Sequence, residues 1–179
     1  MKLHFLAISA TGLFLASCVN IERAARPPSW SSGVPIKTLS DVTGTYRDAV
    51  EHTHRDDLNS LWYCLTRDRR TSPPASATVR LSSVANKLHA TLLDSRGRVL
   101  DQQYVQRFRL RSGALLLSRA SGATTDAFGS GAGTQSCAIT RAANGDLVSQ
   151  LDGTSAGLLF NVIPAVGFGT NWAYWPKTQ

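Results

Sequence analysis

Short apolar runs separated by turn residues fill the chain from about residue 40 onward, and the clearest of them alternate between apolar and polar positions. Between residues 77 and 94, Val79 and Leu81 share one face of the first run, and Leu88 and Leu92 share one face of the next. Strict alternation is the period of a β-strand with one buried face. The pattern therefore predicts two neighbouring strands, and almost nothing in the rest of the chain has a helical period.

Other short runs that contain aromatic or β-branched residues predict further strands. They cover residues 43–46, 61–66, 99–111, 114–118, 135–141, 147–151 and 171–175. The run 156–163 is the most apolar of the mature chain and ends at Pro164. The polar segment 48–59 predicts a short helix or a loop, and the glycine-containing segment 121–134 predicts a loop.

Turn residues join several of these runs over short distances. Asn144-Gly145 is the strongest hairpin signal, because both central positions of a type I′ turn favour such residues. The segments 94–97 and 112–113 give weaker signals of the same kind. Closely spaced strands with tight turns predict an all-β antiparallel meander. Such a meander buries its apolar face by closing into a small up-and-down barrel or, alternatively, by forming a two-sheet sandwich.

The opening Gly44-Thr45-Tyr46, the succession of hairpins and the size of the domain resemble small lipocalin-like antiparallel barrels. This resemblance is one of architecture and implies a closed sheet whose first and last strands are neighbours. A barrel interior of this kind would hold a small apolar ligand, whereas a sandwich would have a filled core.

The first seventeen residues have the pattern of an export signal. Met1-Lys2 gives a positive start, and the segment 3–15 contains no acidic residue, no lysine and no arginine. This stretch is shorter than the roughly 20 apolar residues that a membrane-spanning helix needs. It therefore fits the apolar region of a signal peptide.

The signal ends in Leu15-Ala16-Ser17-Cys18, which resembles the lipobox of bacterial lipoproteins. The resemblance implies cleavage before Cys18, a thioether to diacylglycerol on its sulfur, and fatty acids such as palmitate. Several acyl chains anchor stably where one would not, since each buried methylene contributes about 0.8 kcal/mol. Val19, where inner-membrane lipoproteins carry Asp, implies the outer membrane, with the domain facing the periplasm. Inner-membrane retention and surface exposure stay open as alternatives.

The chain then divides into a signal peptide (1–17), a lipidated N-terminus with a flexible tether (18–39) and a single β-rich domain (40–179). The tether assignment rests on three prolines, which favour extended backbone and prevent a continuous helix. Trp30 is the one aromatic residue of this segment, and it either lies at the membrane interface or caps the domain.

Cys64 and Cys137 remain once the lipid has taken Cys18. In an exported protein such a pair is expected to form a disulfide. The bridge would close a long loop and contribute about 4 kcal/mol in the chain-entropy model. A redox role is the alternative, but the chain has no Cys-x-x-Cys motif.

The chain of 179 residues has a formal charge of +7, and fifteen of its nineteen basic residues are Arg. Arg107, Arg109 and Arg111 alternate along one predicted strand with apolar residues on its other face. This stripe predicts either an anionic docking surface or the solvent face of an antiparallel strand. The other charges are dispersed, and we expect no nucleic-acid partner for an exported protein.

Aromatic residues concentrate at Trp62-Tyr63 and at Trp172, Tyr174 and Trp175. If the strands that carry them are neighbours, these side chains meet. They would then form an apolar ligand or partner surface, or a packed plug in the core, which is the commoner use of aromatic residues.

His52, His54 and Asp56 are close enough in sequence to act as metal ligands. The same pattern is also typical of a solvated loop with local His–Asp pairing, and we expect no bound metal and no cofactor. A serine in a Gly-x-Ser-x-Gly elbow is absent from the sequence, and we predict no catalytic residue.

These observations predict a non-enzymatic lipoprotein with a binding or envelope-structural role. Its partners would be the membrane, through the acyl chains, and either an envelope protein or a small apolar ligand. Two alternatives stay open: a periplasmic metal-dependent hydrolase that uses the His–Asp cluster, and a lipoprotein that inhibits another enzyme.

Overall fold

The computed structural model describes residues 18–30, 33–48, 51–52, 60–67, 70–126, 129–159 and 163–178. Strands predominate in these ranges, where the helices are α1 (Leu61–Thr66) and a 3-10 turn at Leu39–Val42. The predicted all-β class with little helix is therefore confirmed. Helices of the described residues are all too short or too polar to span a bilayer.

The larger of two sheets has eight strands. In spatial order its main path is β1 (Cys18–Arg23), β12 (Ile163–Trp175), β11 (Leu147–Leu159), β10 (Gly129–Ala142), β9 (Ala114–Asp126) and β8 (Phe108–Arg111). Two short strands join it, since β2 (Gly33–Val34) pairs with β10 and β4 (Glu51–His52) pairs with β12. Strand β1 runs parallel to β12, and the other pairs are antiparallel.

The smaller sheet has five antiparallel strands. In spatial order they are β13 (Lys177–Thr178), β3 (Gly44–Arg47), β5 (Thr78–Val84), β6 (Lys87–Leu93) and β7 (Val99–Tyr104). The alternation that predicts β5 and β6 is confirmed, because Val79, Leu81, Leu88 and Leu92 are all buried.

One hydrophobic core joins the two sheets. Its fully buried members include Tyr46, Val79, Leu88 and Leu92 from the smaller sheet, Leu61 and Trp62 from α1, and Leu115, Ile139, Leu147 and Trp175 from the larger sheet. Within the described ranges the strands divide between two sheets and do not close into one barrel. Closure into the single up-and-down barrel that we expected is therefore not shown, and the strands form two sheets around one core.

The run 61–66, predicted as a strand, is helix α1. Ser60 is its N-cap, and the Ser60 Oγ accepts a hydrogen bond from the Tyr63 backbone N–H at 3.1 Å. The helix ends where Arg67 adopts a left-handed conformation at φ 62°. Short apolar runs are ambiguous between helix and strand, and here the serine cap decides. Cys64 therefore lies on a helix and not on a strand.

Three of the predicted turns are confirmed. Asn144-Gly145 joins β10 to β11, with Gly145 at φ 93°. Ser112-Gly113 joins β8 to β9 with both residues at positive φ, and 94–97 joins β6 to β7. Because the backbone requirements of a tight turn are local, the sequence suffices to identify them.

The segment 121–134, predicted as a loop, belongs mostly to strands β9 and β10, so that prediction is wrong. Its glycines allow close strand pairing. A Cβ atom at Gly133 would lie 2.8 Å from the Thr154 carbonyl oxygen, and one at Gly131 would lie 3.1 Å from that of Ala156. Glycine inside a strand often marks such a close approach of two backbones.

The segment 18–39, expected to be a flexible tether, is paired or packed over much of its described length. Strand β1 lies along β12 with Cys18 opposite Ala165, and Ile36 is buried in the core. The free edge of β12 explains the difference, because it satisfies the backbone groups of β1. The described fold thus begins before residue 40, and the predicted signal peptide, 1–17, lies outside the described residues.

Candidate functional site

The larger sheet has one face in the core and one face turned away from it. Trp175 of β12 is buried in the core. Trp172 and Tyr174 have the opposite alternation along the strand, so their side chains lie on the other face of the sheet. Both pack with a separate cluster around Trp30. Side chains of directly paired residues share a face. One row across the face that lies opposite the core therefore contains Arg109, Leu116, Ala138, Gln150 and Trp172, and we name it the outer face.

Trp30 covers part of the outer face. It is 9% exposed and packs against Ala142 and Val148, with Trp172 and Tyr174 at the border of this cluster. The ring centres of Trp30 and Tyr174 are 5.3 Å apart, at an interplanar angle of 30°. Of the two roles open for Trp30, the structure shows the one in which it caps the domain.

Trp172 holds the chain that leads to Trp30. Its Nε1 donates a hydrogen bond to the Ala24 carbonyl oxygen at 2.9 Å, and the Ala24 N–H donates to the Thr170 carbonyl oxygen at 3.0 Å. The Arg26 guanidinium carbon lies 5.9 Å from the centre of the Trp172 ring, which is within the range of a cation–π interaction. Trp172 and Tyr174, predicted as a ligand or partner surface, thus contact the protein's own N-terminal segment.

Asp146 is a buried carboxylate at the end of the Asn144-Gly145 hairpin. Its Oδ1 accepts a hydrogen bond from the Lys177 backbone N–H at 2.6 Å, and its Oδ2 accepts from the Asn144 side-chain amide and the Tyr174 hydroxyl. Three donors satisfy the carboxylate and fix the hairpin against the ends of β12 and β13. Sequence reasoning missed Asp146, although its place directly after an Asn-Gly turn is a usable signal.

Beyond the core, the outer face carries exposed apolar side chains. Ile21 of β1 and Phe168 of β12 are register partners, and they are 57% and 42% exposed. Leu158 of β11 is 41% exposed. It pairs with Pro164, which lies four positions before Phe168 on β12, so Leu158 and Phe168 are on the same face of the sheet. We name Ile21, Leu158 and Phe168 the distal patch. Single exposed apolar residues are ordinary, but a group of them on neighbouring strands is typical of a contact surface.

Cys18, the predicted lipid attachment residue, is the first residue of β1. Its partner is Ala165, which directly follows Pro164, the partner of Leu158. Ile21 follows three positions later, at about 10 Å along an extended strand. Cys18 and the distal patch therefore lie at the same end of the larger sheet.

The predicted basic stripe is partly retained. Arg109 and Arg111 lie on β8, are exposed and share the outer face, whereas Arg107 precedes the strand at φ 56°. Phe108, on the other side of β8, packs against the core as the alternation predicts. Arg23 of β1 is also exposed, and it shares the alternation of Ile21, so the outer face collects basic residues from both edges of the sheet.

Cys64 and Cys137 are brought together in the core. Their Sγ atoms are 2.7 Å apart, and both residues are buried. This separation is shorter than an ordinary non-bonded contact of two sulfur atoms and longer than the roughly 2.05 Å of a disulfide bond. The contact joins α1, which carries Cys64, to β10, which carries Cys137. The two residues are 73 positions apart in sequence.

The predicted metal ligands fall only partly within the described residues. His52 lies in β4, where its backbone pairs with Ala173. His54 and Asp56 lie outside the described residues. Among the side chains that the structure describes, no group of three His, Cys, Asp or Glu is placed to hold a metal ion.

The two aromatic groups that we expected to meet do so only in part, because Trp62 and Trp175 belong to the same core whereas Trp172 and Tyr174 do not. Trp62 is fully buried in the core, and its neighbour Tyr63 is half-buried. Trp172 and Tyr174 instead pack around Trp30 on the outer face. The separation follows from the helical conformation of α1, which places Trp62 between the sheets rather than on a strand beside β12.

Asp48 is a second buried carboxylate that sequence reasoning missed. Its Oδ1 accepts hydrogen bonds from the Trp62 backbone N–H at 2.7 Å and from the Ser60 Oγ at 3.0 Å. Burial raises the pKa of this carboxyl group above its usual 3.8, and the hydrogen bonds oppose that rise. A buried acid so close to a helix start stabilises α1 through its acceptor oxygen.

Asp48 is therefore expected to make the protein less stable as the pH rises. A carboxyl group with a raised pKa in the folded state binds its proton more tightly there. Its contribution to the free energy of unfolding is complete below pH 3.8, and it is lost as the pH rises through the pKa that Asp48 has in the folded protein. The amide oxygen of Asp48→Asn still accepts both hydrogen bonds, so this loss should vanish in the variant. Urea unfolding of both proteins between about pH 4 and about pH 8 measures the difference.

Asp41→Asn is the matched control for this pH dependence. Backbone hydrogen bonds from Thr38 and then Lys37 lower the pKa of Asp41, so its contribution has the opposite sign and is lost as the pH falls. Equal pH profiles for Asp48→Asn and the unchanged protein would show that burial of Asp48 does not shift its pKa.

Comparison with known proteins gives no relative: no protein-family model, no curated protein and no solved structure matches the chain. The outer face of the larger sheet carries the distal patch and, at both edges of the sheet, exposed arginines. The predicted lipid attachment residue, Cys18, lies at the same end of the sheet as the patch.

Proposed function

We propose that the protein is a lipoprotein of the bacterial outer membrane, acylated on Cys18 and facing the periplasm, with a binding or envelope-structural role rather than an enzymatic one. The lipobox-like Leu15-Ala16-Ser17-Cys18 after a short apolar stretch supports this. The observation that carries the proposal is the position of Cys18 as the first residue of an edge strand. A residue at that edge has a paired strand on one side only, which leaves room for acyl chains.

A binding role is favoured by the contrast between polar and apolar groups in the described residues. Asp146 and Asp48 accept hydrogen bonds from backbone and side-chain donors, which gives both buried carboxylates a structural role. Ile21, Leu158 and Phe168, by contrast, expose apolar surface. Surface of this kind usually contacts another molecule. The partners in this proposal are the membrane, reached through the acyl chains, and an envelope protein.

The Cys18→Ser variant tests the lipid anchor. In cells supplied with a labelled palmitate analogue, the unchanged protein is expected to carry the label and to sediment with the outer membrane. The variant is expected to lose all label and to appear in the soluble periplasmic fraction, because a serine hydroxyl does not form the thioether. Mass spectrometry of the purified native protein checks the cleavage before Cys18.

Cys137→Ser is the control for the anchor, because it also removes a thiol but leaves Cys18 in place. It should keep its label. Label that persists in Cys18→Ser, or a native protein that retains residues 1–17, would refute the lipoprotein proposal.

We further propose that Cys64 and Cys137 form a disulfide in the exported protein. The distance of 2.7 Å between their sulfur atoms and the oxidising periplasm support the bond. Denatured native protein treated with iodoacetamide should take up no label at these two residues, and it should take up two labels after reduction. Labelling without reductant would contradict the proposal.

A further inference from the structure

We infer that the outer face of the larger sheet lies against an anionic lipid bilayer, with the distal patch (Ile21, Leu158 and Phe168) in the interfacial region. The inference deepens the proposed function and rests on the acylation of Cys18. It names the bilayer itself, and not another protein, as the surface that covers these apolar side chains.

The first argument is the short distance between the anchor and the sheet. Strand β1 pairs with β12 over all six of its residues, from Cys18 opposite Ala165 to Arg23 opposite Thr170. An acylated Cys18 is held at the membrane surface by its chains. Since β1 is part of the sheet from its first residue, no free spacer separates the anchor from the domain. Ile21, about 10 Å along the strand, is then held at the level of the headgroups.

The second argument is the chemistry of the exposed residues. Ile21 and Phe168 are direct register partners, and both are more than two-fifths exposed. Leu158 lies further toward the end of the sheet at which Cys18 is found. Partly buried aliphatic and aromatic side chains are what an interfacial contact requires, because they leave water for the boundary between headgroups and acyl chains. The patch is therefore at the right end of the sheet and of the right composition.

The third argument is charge. Arg23, Arg109 and Arg111 are exposed on the outer face, and Arg26 lies over the Trp172 ring on the same side. Asp152 shares this face, and its carboxylate accepts hydrogen bonds from the neutral side chains of Gln150 and Thr170, so the named arginines outnumber it without neutralising it. Arg23 lies two positions from Ile21 on β1, whereas Arg109 and Arg111 lie on β8 at the other edge of the same face. Exposed arginines on the face that carries the apolar patch complement a surface of anionic headgroups.

Other occupants of the patch, such as a second copy of the chain or an envelope protein, do not explain its position. A protein partner requires no relation between its contact surface and the lipid attachment residue. Here Leu158 and Cys18, the first residue of β1, lie at the same end of the sheet, because their partners on β12, Pro164 and Ala165, are adjacent. The bilayer accounts for both features with one arrangement.

Photo-crosslinking in the full-length, acylated protein tests the inference. Phe168 is replaced by p-benzoylphenylalanine, which retains an aromatic ring at this position, and the purified lipoprotein is placed in phosphatidylethanolamine–phosphatidylglycerol vesicles. Tyr104 of β7 gives the matched control, because it is an exposed aromatic residue on a strand of the smaller sheet. Tyr104 is 53% exposed and Phe168 is 42% exposed, so exposure alone would favour adducts at position 104.

Irradiation is expected to give phospholipid adducts at position 168 and none above background at position 104. Adducts with protein at position 168, or lipid adducts that are equal or absent at both positions, would overturn the membrane contact. The acylation state of Cys18 is measured by mass spectrometry in the same samples. Acylated protein without lipid adducts at 168 refutes this inference alone, whereas unacylated Cys18 refutes the proposed function together with it.

Discussion

Alanine in place of Trp175 is expected to lower the free energy of unfolding by about 3–5 kcal/mol. Trp175 is fully buried in the core that joins the two sheets, close to the end of β12. Its removal leaves a cavity bounded by both sheets, which cannot collapse without moving strands that are paired on each side. Urea unfolding followed by circular dichroism measures the loss, and the denaturant dependence should stay unchanged.

Phe168→Ala, on the same strand, is the control for Trp175→Ala. Phe168 is 42% exposed and lies outside the core, so its truncation is expected to change the free energy of unfolding by about 0.5 kcal/mol or less. Equal losses for the two variants would show that the core does not end where the structure places it.

Cys137→Ala is expected to lower the free energy of unfolding by about 2–5 kcal/mol, because it removes the disulfide to Cys64 that we propose. The bridge restricts the unfolded chain over a long loop, and this restriction is lost with either cysteine. The double variant Cys64→Ala/Cys137→Ala should therefore be little less stable than the single one. Urea unfolding of purified protein under oxidising conditions measures all three.

Reduction separates the bond from the packing of the two side chains. With a reductant present, the unchanged protein should lose most of its advantage over Cys137→Ala. If Cys137→Ala costs the same free energy with and without reductant, packing in the core accounts for the effect and the proposed bond does not.

Local signals made part of the fold predictable. The alternation in 77–94 predicts β5 and β6 correctly, and Asn144-Gly145 predicts the hairpin between β10 and β11. Both depend on residues that are near each other in sequence. The helix α1 was predicted wrongly because its apolar run fits either structure, and the decision depends on the cap from Ser60.

Long-range pairing explains the other errors. The glycines of 121–134 predict a loop when the sequence is considered alone. In the structure they allow the backbone of β11 to approach β10 closely, which the sequence cannot show. The parallel pairing of β1 with β12 joins segments whose register cannot be derived from either alone. The same holds for the candidate site: the sequence indicates Cys18 and the arginines, but only the sheet brings Arg109 and Ile21 to one face.

The pairing of β1 with β12 also constrains the order of assembly. In the export that we propose, the strand that begins at Cys18 emerges before its neighbour, which starts at Ile163 and is among the last parts of the described chain. Contacts between segments so far apart in sequence form slowly. Until β12 has crossed the membrane, β1 has no partner. The larger sheet can therefore be completed only after translocation has ended. In an immature protein, β1 would be an unpaired strand that envelope quality control could recognise.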